Sequence, residues 1–184
     1  MDAQQARPAY SEESRERLEP RYGFIIYRTD YRDEAKWDRF ISYLNAQVRA
    51  GLELAGQSNL IPLIDWKVQS VKSDLDEAGP EEVQELFNAW VESSEERDDG
   101  SARFMACIMA DWSCVESVGV FLKNGRKEDE FDHLGISFVY LVSRKEEEGY
   151  TAIGMSYLMP RAFALIENLG WEDVAVPEAE TALP

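Results

Sequence analysis

The chain is poor in the side chains that do most enzyme chemistry. It holds one histidine and two cysteines in 184 residues. With no second imidazole at ligand spacing, a zinc site is a poor expectation, and no metal is assigned. Cys107 and Cys114 have no CxxC arrangement. They read as free thiols in a reducing interior, with a bridge between the two left open. No basic residue close in sequence would activate Cys114 as a nucleophile. Basic residues are also scarce, 19 Lys and Arg against 36 Asp and Glu, for a formal charge of −17. A surface this acidic repels phosphate backbones and anionic lipid, which argues against nucleic acid and membranes as partners. There is no signal-peptide h-region and no apolar run near about 18 residues, so the expected location is cytoplasmic. A phosphate loop, a G-x-G-x-x-G and a G-x-S-x-G are all absent. Nucleotide chemistry and serine hydrolysis therefore find no support, and no cofactor is expected.

What is present suits one globular domain. The hydrophobic fraction is 45%, and five Trp, eight Tyr and eight Phe supply bulky core material. Residues 1–21 are polar and proline-bracketed and read as a mobile N-terminal arm. Residues 172–184 form an acidic, proline-punctuated tail, which leaves a body of 22–171. The acidic runs at 95–99, 128–130 and 146–148 read as solvated loops that maintain solubility.

Periodicity orders the body. "YGFIIYRT" (22–29) is a strand with apolar residues on both parities. Trp37, Phe40, Ile41, Leu44, Val48 and Leu52 then fall at steps of three and four, one helical stripe that Gly56 can stop. Residues 65–72 read as a polar, edge-like strand. Pro80 opens a second helix, where its missing N–H is harmless. "RFMACIMAD" (103–111) is apolar on both parities and reads as a central strand. A short helix over 112–122, strands at 135–143 and 150–156 joined by "RKEEEG" as a hairpin loop, and a closing helix over 158–170 with Leu158, Ala162, Leu165, Ile166 and Leu169 on its inner face complete the order β-α-β-α-β-α-β-β-α. That order implies an α+β fold of about five strands, mixed or antiparallel, in a ferredoxin-like-related sandwich with helices mainly on one face. On that reading the second face leaves Met105, Cys107 and Met109 bare. A homodimer mate, an apolar small molecule or the terminal arms would cover them.

Two segments carry a family resemblance. In "YRTDYRDEAKWDRFISYLN" (27–45), Tyr27, Arg28, Tyr31, Glu34, Trp37 and Phe40 form a Y-R-x-x-Y-x-x-[DE]-x-x-W-x-x-F pattern. Near the C-terminus, Tyr157, Leu158, Met159 and Pro160 form Y-L-[MV]-P. The chain in these stretches resembles an uncharacterised family of filamentous-fungal α+β proteins roughly 200 residues long. The resemblance implies a fungal source and a cytoplasmic domain, and brings no activity with it.

Few residues remain as site candidates. Asp30, Asp33 and Glu34 crowd a helix start, where the macrodipole and free N–H groups account for acids without catalysis. Tyr27, Arg28 and Tyr31 are not explained by capping and flank a strand end, a common place for a cleft. Arg28 could neutralise a buried carboxylate or hold an anionic ligand. Asp111 either caps the helix that follows or acts as an acid–base group beside Trp112. His133 lies among four acids that favour its imidazolium, a poor start for a general base. Two functions follow. One is a binding domain for a protein partner or apolar small molecule, with Tyr27, Arg28, Tyr31, Met105, Met109 and Tyr157 as contacts. The other is a cofactor-independent isomerase, cyclase or lyase acting on a hydrophobic metabolite, with Asp111, His133 and Tyr31 as its acid–base candidates.

Overall fold

The structure is a computed structural model and describes residues 21–96, 98–123, 125–177 and 180–184. The arm expected over 1–21 lies outside them up to residue 20. Strand β1 (Ile25–Arg28) leads into helix α1 (Glu34–Leu54), whose N-cap is Asp33, its carboxylate accepting the Lys36 N–H at 3.1 Å. After a 3-10 segment the chain forms edge strand β2 (Lys67–Gln69) and a single helical turn, α2 (Lys72–Leu75). Helix α3 (Pro80–Ser93) starts on Pro80, and Glu82 reaches back to the Gly79 N–H at 3.0 Å. A second short turn, α4 (Ala102–Met105), precedes β3 (Ala106–Ala110) and α5 (Trp112–Leu122). Hairpin β4 (Phe138–Ser143) and β5 (Tyr150–Gly154) is followed by an irregular helical stretch, α6 (Phe163–Asn168) and β6 (Thr181–Ala182).

The fold is α+β, with one mixed six-stranded sheet in the order β2-β1-β3-β4-β5-β6. The pairs β1–β2, β1–β3 and β5–β6 are parallel, whereas β3–β4 and β4–β5 are antiparallel. The sixth strand comes from the acidic tail, which pairs Thr181 and Ala182 with Ala152 and Ile153. The parallel half is doubly wound, which replaces the ferredoxin-like sandwich expected from element order. Its cause is topological. From β1 the chain crosses to β2 on one side, then back over β1 to β3 on the other. Both crossovers are right-handed by preference, so α1 and α3 land on opposite faces.

Three helices, α1, α5 and α6, pack one face with Phe24, Ile26, Ile108, Leu141 and Ile153. The other face is not bare. Val83, Phe87 and Val91 of α3 close over Ile25, Tyr27, Cys107, Met109 and Val142. Fully burying side chains of this size is worth about 1.5–3 kcal/mol each. Cys107 and Met109 are thus covered by their own chain, and the reason given for a dimer over them falls away. Met105 departs further from expectation. Residues 102–105 form a helical turn instead of continuing the strand, so Met105 escapes the alternation and stays 37% exposed. Beyond the reach of α3, the same sheet face presents Phe138 and Tyr140, both half-buried, and Tyr150.

Candidate functional site

The carboxyl ends of β1 and β3 lie side by side, with Arg28 registered against Ala110 and the Thr29 N–H donating to the Ala110 carbonyl at 3.0 Å. Here the strand order reverses, the position where doubly wound sheets open a ligand crevice. It gathers Arg28, Tyr31 and Asp111 from the sequence candidates. Their side chains are already spent on one another. Arg28 is buried, donates Nε to the Asp30 carbonyl at 2.8 Å and grips Glu34 through both Nη atoms at 2.9 and 2.8 Å. Its guanidinium also lies between the Tyr31 and Trp37 rings, 4.4 and 4.7 Å from their centroids. The Arg28 hydrogen bond, with its charge, lowers the pKa of Glu34. An anionic ligand would have to displace Glu34, so the anion-holding reading of Arg28 is replaced by an internal clamp.

The other groups close the crevice. Asp30 is buried and takes the Arg32 Nε at 2.5 Å, and the Arg32 guanidinium covers Trp112. Lys36 pairs with Glu116 across the gap. Asp111 is the N-cap of α5, accepting from the Cys114 N–H at 3.0 Å and the Ser113 hydroxyl at 2.6 Å. The Tyr31 hydroxyl is buried without a hydrogen-bond partner among the described residues.

The remaining candidates do not join this place. Tyr27 is core under α3, its ring edge-on to Phe87 at 6.5 Å, and burial drives its hydroxyl pKa far up. Met109 is core beside it. His133 sits in an exposed loop with its ring 4.7 Å from Phe131, and Tyr157 donates its hydroxyl to the His133 carbonyl at 3.2 Å. That loop is tied to Gln47, thirteen residues along α1 from Glu34. At 1.5 Å per residue the two ends are about 20 Å apart along the helix. The proposed acid–base set does not converge. Burial also raises the pKa of Cys107 and Cys114 well up, and both thiols are free.

Two buried polar networks were invisible to the sequence reading. Asp132 is fully buried, and its carboxylate accepts from the Leu134 and Ser137 N–H groups at 3.2 and 2.8 Å and from the Ser137 hydroxyl at 2.9 Å. Ser137 spends its proton on Asp132, so the Tyr43 hydroxyl, 2.9 Å from Ser137 Oγ, is the donor between those two. Gln47 completes the set, accepting the Asp132 N–H and donating to the Glu128 and Glu130 carbonyls. A polar Gln47 on the apolar stripe of α1 was the available signal. Arg103 is 1% exposed and donates to the Gly23 and Asp65 carbonyls and to the Glu96 and Asp65 carboxylates. Nothing in "RFMACIMAD" marks it as buried. In both networks the buried charge is hydrogen-bonded within the fold, Asp132 by neutral donors and Arg103 by carbonyls and carboxylates, which suits scaffolding rather than turnover.

A concave site lies at the other end of the sheet, where α4 enters β3 and β4 turns into the hairpin loop. A cavity of about 440 Å³ opens there. Phe104, Met105, Ile166, Leu169 and Trp171 supply its apolar lining. Five charged groups join them. Arg144 pairs with Asp98 at 3.1 Å and Lys145 with Glu148 at 2.6 Å. Glu167 has no cationic partner among the described residues and accepts only the Ala102 N–H, at 3.2 Å. Partial burial raises its pKa; the Ala102 N–H opposes the shift and the charge of Asp99 adds to it. The cavity takes Met105 from the expected ligand contacts and none of the others. Leu169, expected on the inner face of the closing helix, is instead 66% exposed at the cavity mouth.

Among the described residues, no group of three or more His, Cys, Asp or Glu is placed to hold a metal ion. Nor is any helix among them long and apolar enough to cross a membrane. Compared with family models, curated proteins and solved structures, the chain matches none of them.

Proposed function

We propose that this protein is a binding domain for an apolar small molecule, held in the cavity between α4, the β4–β5 hairpin and the segment from Ile166 to Trp171. The observation that carries the reading is the cavity itself. Its volume, about 440 Å³, falls in the roughly 300–1,000 Å³ range of small-molecule sites. Its lining sets the apolar side chains such a site needs beside five charged groups, four of them joined in two ion pairs. The switch-point crevice supports no such reading, because Arg28 is spent on Glu34 while Arg32 and Lys36 reach across to Trp112 and Glu116 of α5.

Titration with the neutral dye Nile red, followed by its own emission, tests this. Saturable binding that is lost in both Met105→Trp and Leu169→Arg, with unchanged far-UV circular dichroism, is the expected result. Both positions are exposed, so the fold tolerates the change. Binding unaffected by either substitution would sink the proposal.

One observation favours a second reading, a cofactor-independent isomerase or lyase working in the same cavity. Glu167 is a carboxyl raised by burial beside an apolar floor, the situation of a general acid–base group. Turnover of a hydrophobic carbonyl substrate that is lost in Glu167→Gln would favour it over simple binding.

A further inference from the structure

The charge pattern around the cavity specifies the kind of molecule it takes. We infer that the ligand is an organic cation, an alkyl- or arylammonium whose apolar body rests on Phe104, Ile166 and Trp171 and whose charge meets Glu167. The inference rests on the reading of the cavity as a small-molecule site. Each cation at the rim is already neutralised: Arg144 by Asp98 and Lys145 by Glu148. Those acids are further committed, Asp98 to the Gly100 N–H at 2.9 Å and Glu148 to the Ser143 hydroxyl at 2.5 Å. Glu167 is the one lining charge left without a counter-ion among the described residues. An anionic ligand would have to break an ion pair and would face Glu167 as well. A neutral ligand would leave that carboxylate against an apolar body. A cation satisfies it. The chain as a whole, at −17, also concentrates cations near its surface.

Protonation should follow occupancy. The Ala102 N–H and the charge of Asp99 act on Glu167 directly, and the other charged groups lining the cavity with it are Asp98 before α4, Arg144 and Lys145 after β4, and Glu148 in the hairpin. Its pKa in the empty cavity is raised. A bound ammonium favours the carboxylate and pulls that pKa back down. Binding therefore releases a proton when it is measured within the titration range of Glu167. Affinity climbs with pH through that range and levels off above it.

Three probes with one aryl body test the inference by isothermal titration calorimetry at low ionic strength: 2-phenylethylammonium, 2-phenylethanol and 3-phenylpropionate. The ammonium is expected to bind about tenfold or more tightly than the other two, the scale of one charge-assisted hydrogen bond. Glu167→Gln should bring the ammonium to within about twofold of the alcohol. Buffers of differing ionisation heat should report proton release in the wild type and none in the variant. If the alcohol or the propionate binds as tightly as the ammonium, the cavity reading survives and the cation inference is overturned. If none of the three binds, the cavity reading itself fails and takes the inference with it. An ammonium preference that persists in Glu167→Gln also overturns the inference.

Discussion

Replacing Arg103 with Met should unfold this protein at far milder conditions than any surface charge change. The guanidinium is 1% exposed and makes five hydrogen bonds, to two backbone carbonyls and two carboxylates. The partners differ in what they lose. The Asp65 side chain is 44% exposed, so water replaces Arg103 there at little cost. Glu96 is 14% exposed and keeps only Arg21 at 3.4 Å and Lys67 at 3.6 Å. The buried Gly23 carbonyl is left with no donor in place of Arg103. An unsatisfied buried acceptor costs about 1–3 kcal/mol, and breaking a buried ion pair by deleting one partner costs about 3–5 kcal/mol. A total near 3–5 kcal/mol is expected, because these figures overlap in what they count. With a urea m-value near 2 kcal/mol/M, the midpoint falls by about 1.5–2.5 M at unchanged m.

A pH series sharpens the test. Burial would raise the pKa of Glu96, but the Arg103 hydrogen bond and the charges of Arg103, Arg21 and Lys67 hold it below the ordinary carboxylate value. A depressed folded pKa means stability present above the unfolded pKa and lost as pH falls through the folded one. Wild type should therefore lose the Glu96 contribution on acidification, whereas Arg103→Met has already lost most of it. The gap between the two proteins must narrow below the usual carboxylate range. A difference under about 1 kcal/mol at neutral pH, the scale of a surface ion pair, would refute the reasoning. So would a gap that stays constant on acidification.

Three further outcomes are expected. Gly51→Ala should destabilise although alanine is the better helix former by about 1 kcal/mol. A Cβ there would stand 2.6 Å from the Met159 carbonyl and 2.9 Å from that of Ser156, and a net loss of about 1–3 kcal/mol in urea is the sign to look for. Tyr31→Phe removes a buried hydroxyl with no hydrogen-bond partner among the described residues. It should be neutral or stabilising by up to about 1 kcal/mol, and a clear loss in urea unfolding would contradict that account. Cys107 and Cys114 should ignore Ellman's reagent in the native protein and both react in guanidinium, since burial raises their pKa and closes access. Any rapid native reaction would mean that one of them is reachable.

Local pattern was enough for most of the elements. The stripe of α1, Pro80 at the start of α3, the doubly apolar β1 and β3, the polar edge β2 and the "RKEEEG" hairpin are all read from periodicity and turn chemistry. The capping of α1 by Asp33 and of α5 by Asp111 belongs to the same level, because a cap acts within four residues. Element type and helix initiation were what the sequence determined by itself.

Tertiary structure decided everything that depends on which element sits beside which. The reversal of strand order at β1 puts α3 over Cys107 and Met109, and no local signal records strand order. The turn of α4 breaks the alternation before β3 and sends Met105 to a cavity instead of the core. Arg28 looked free because Glu34, its partner, is only six residues away and reads equally well as a helix-start acid. Arg103 gained its carbonyl partners from segments 80 and 38 residues away, and Gln47 reaches the Asp132 N–H across 85 residues. The candidate site follows the same rule. Glu167, Arg144 and Met105 come from three separate elements, and only the packing of α4 and the hairpin against the end of α6 and the turn that follows it gives them a shared cavity.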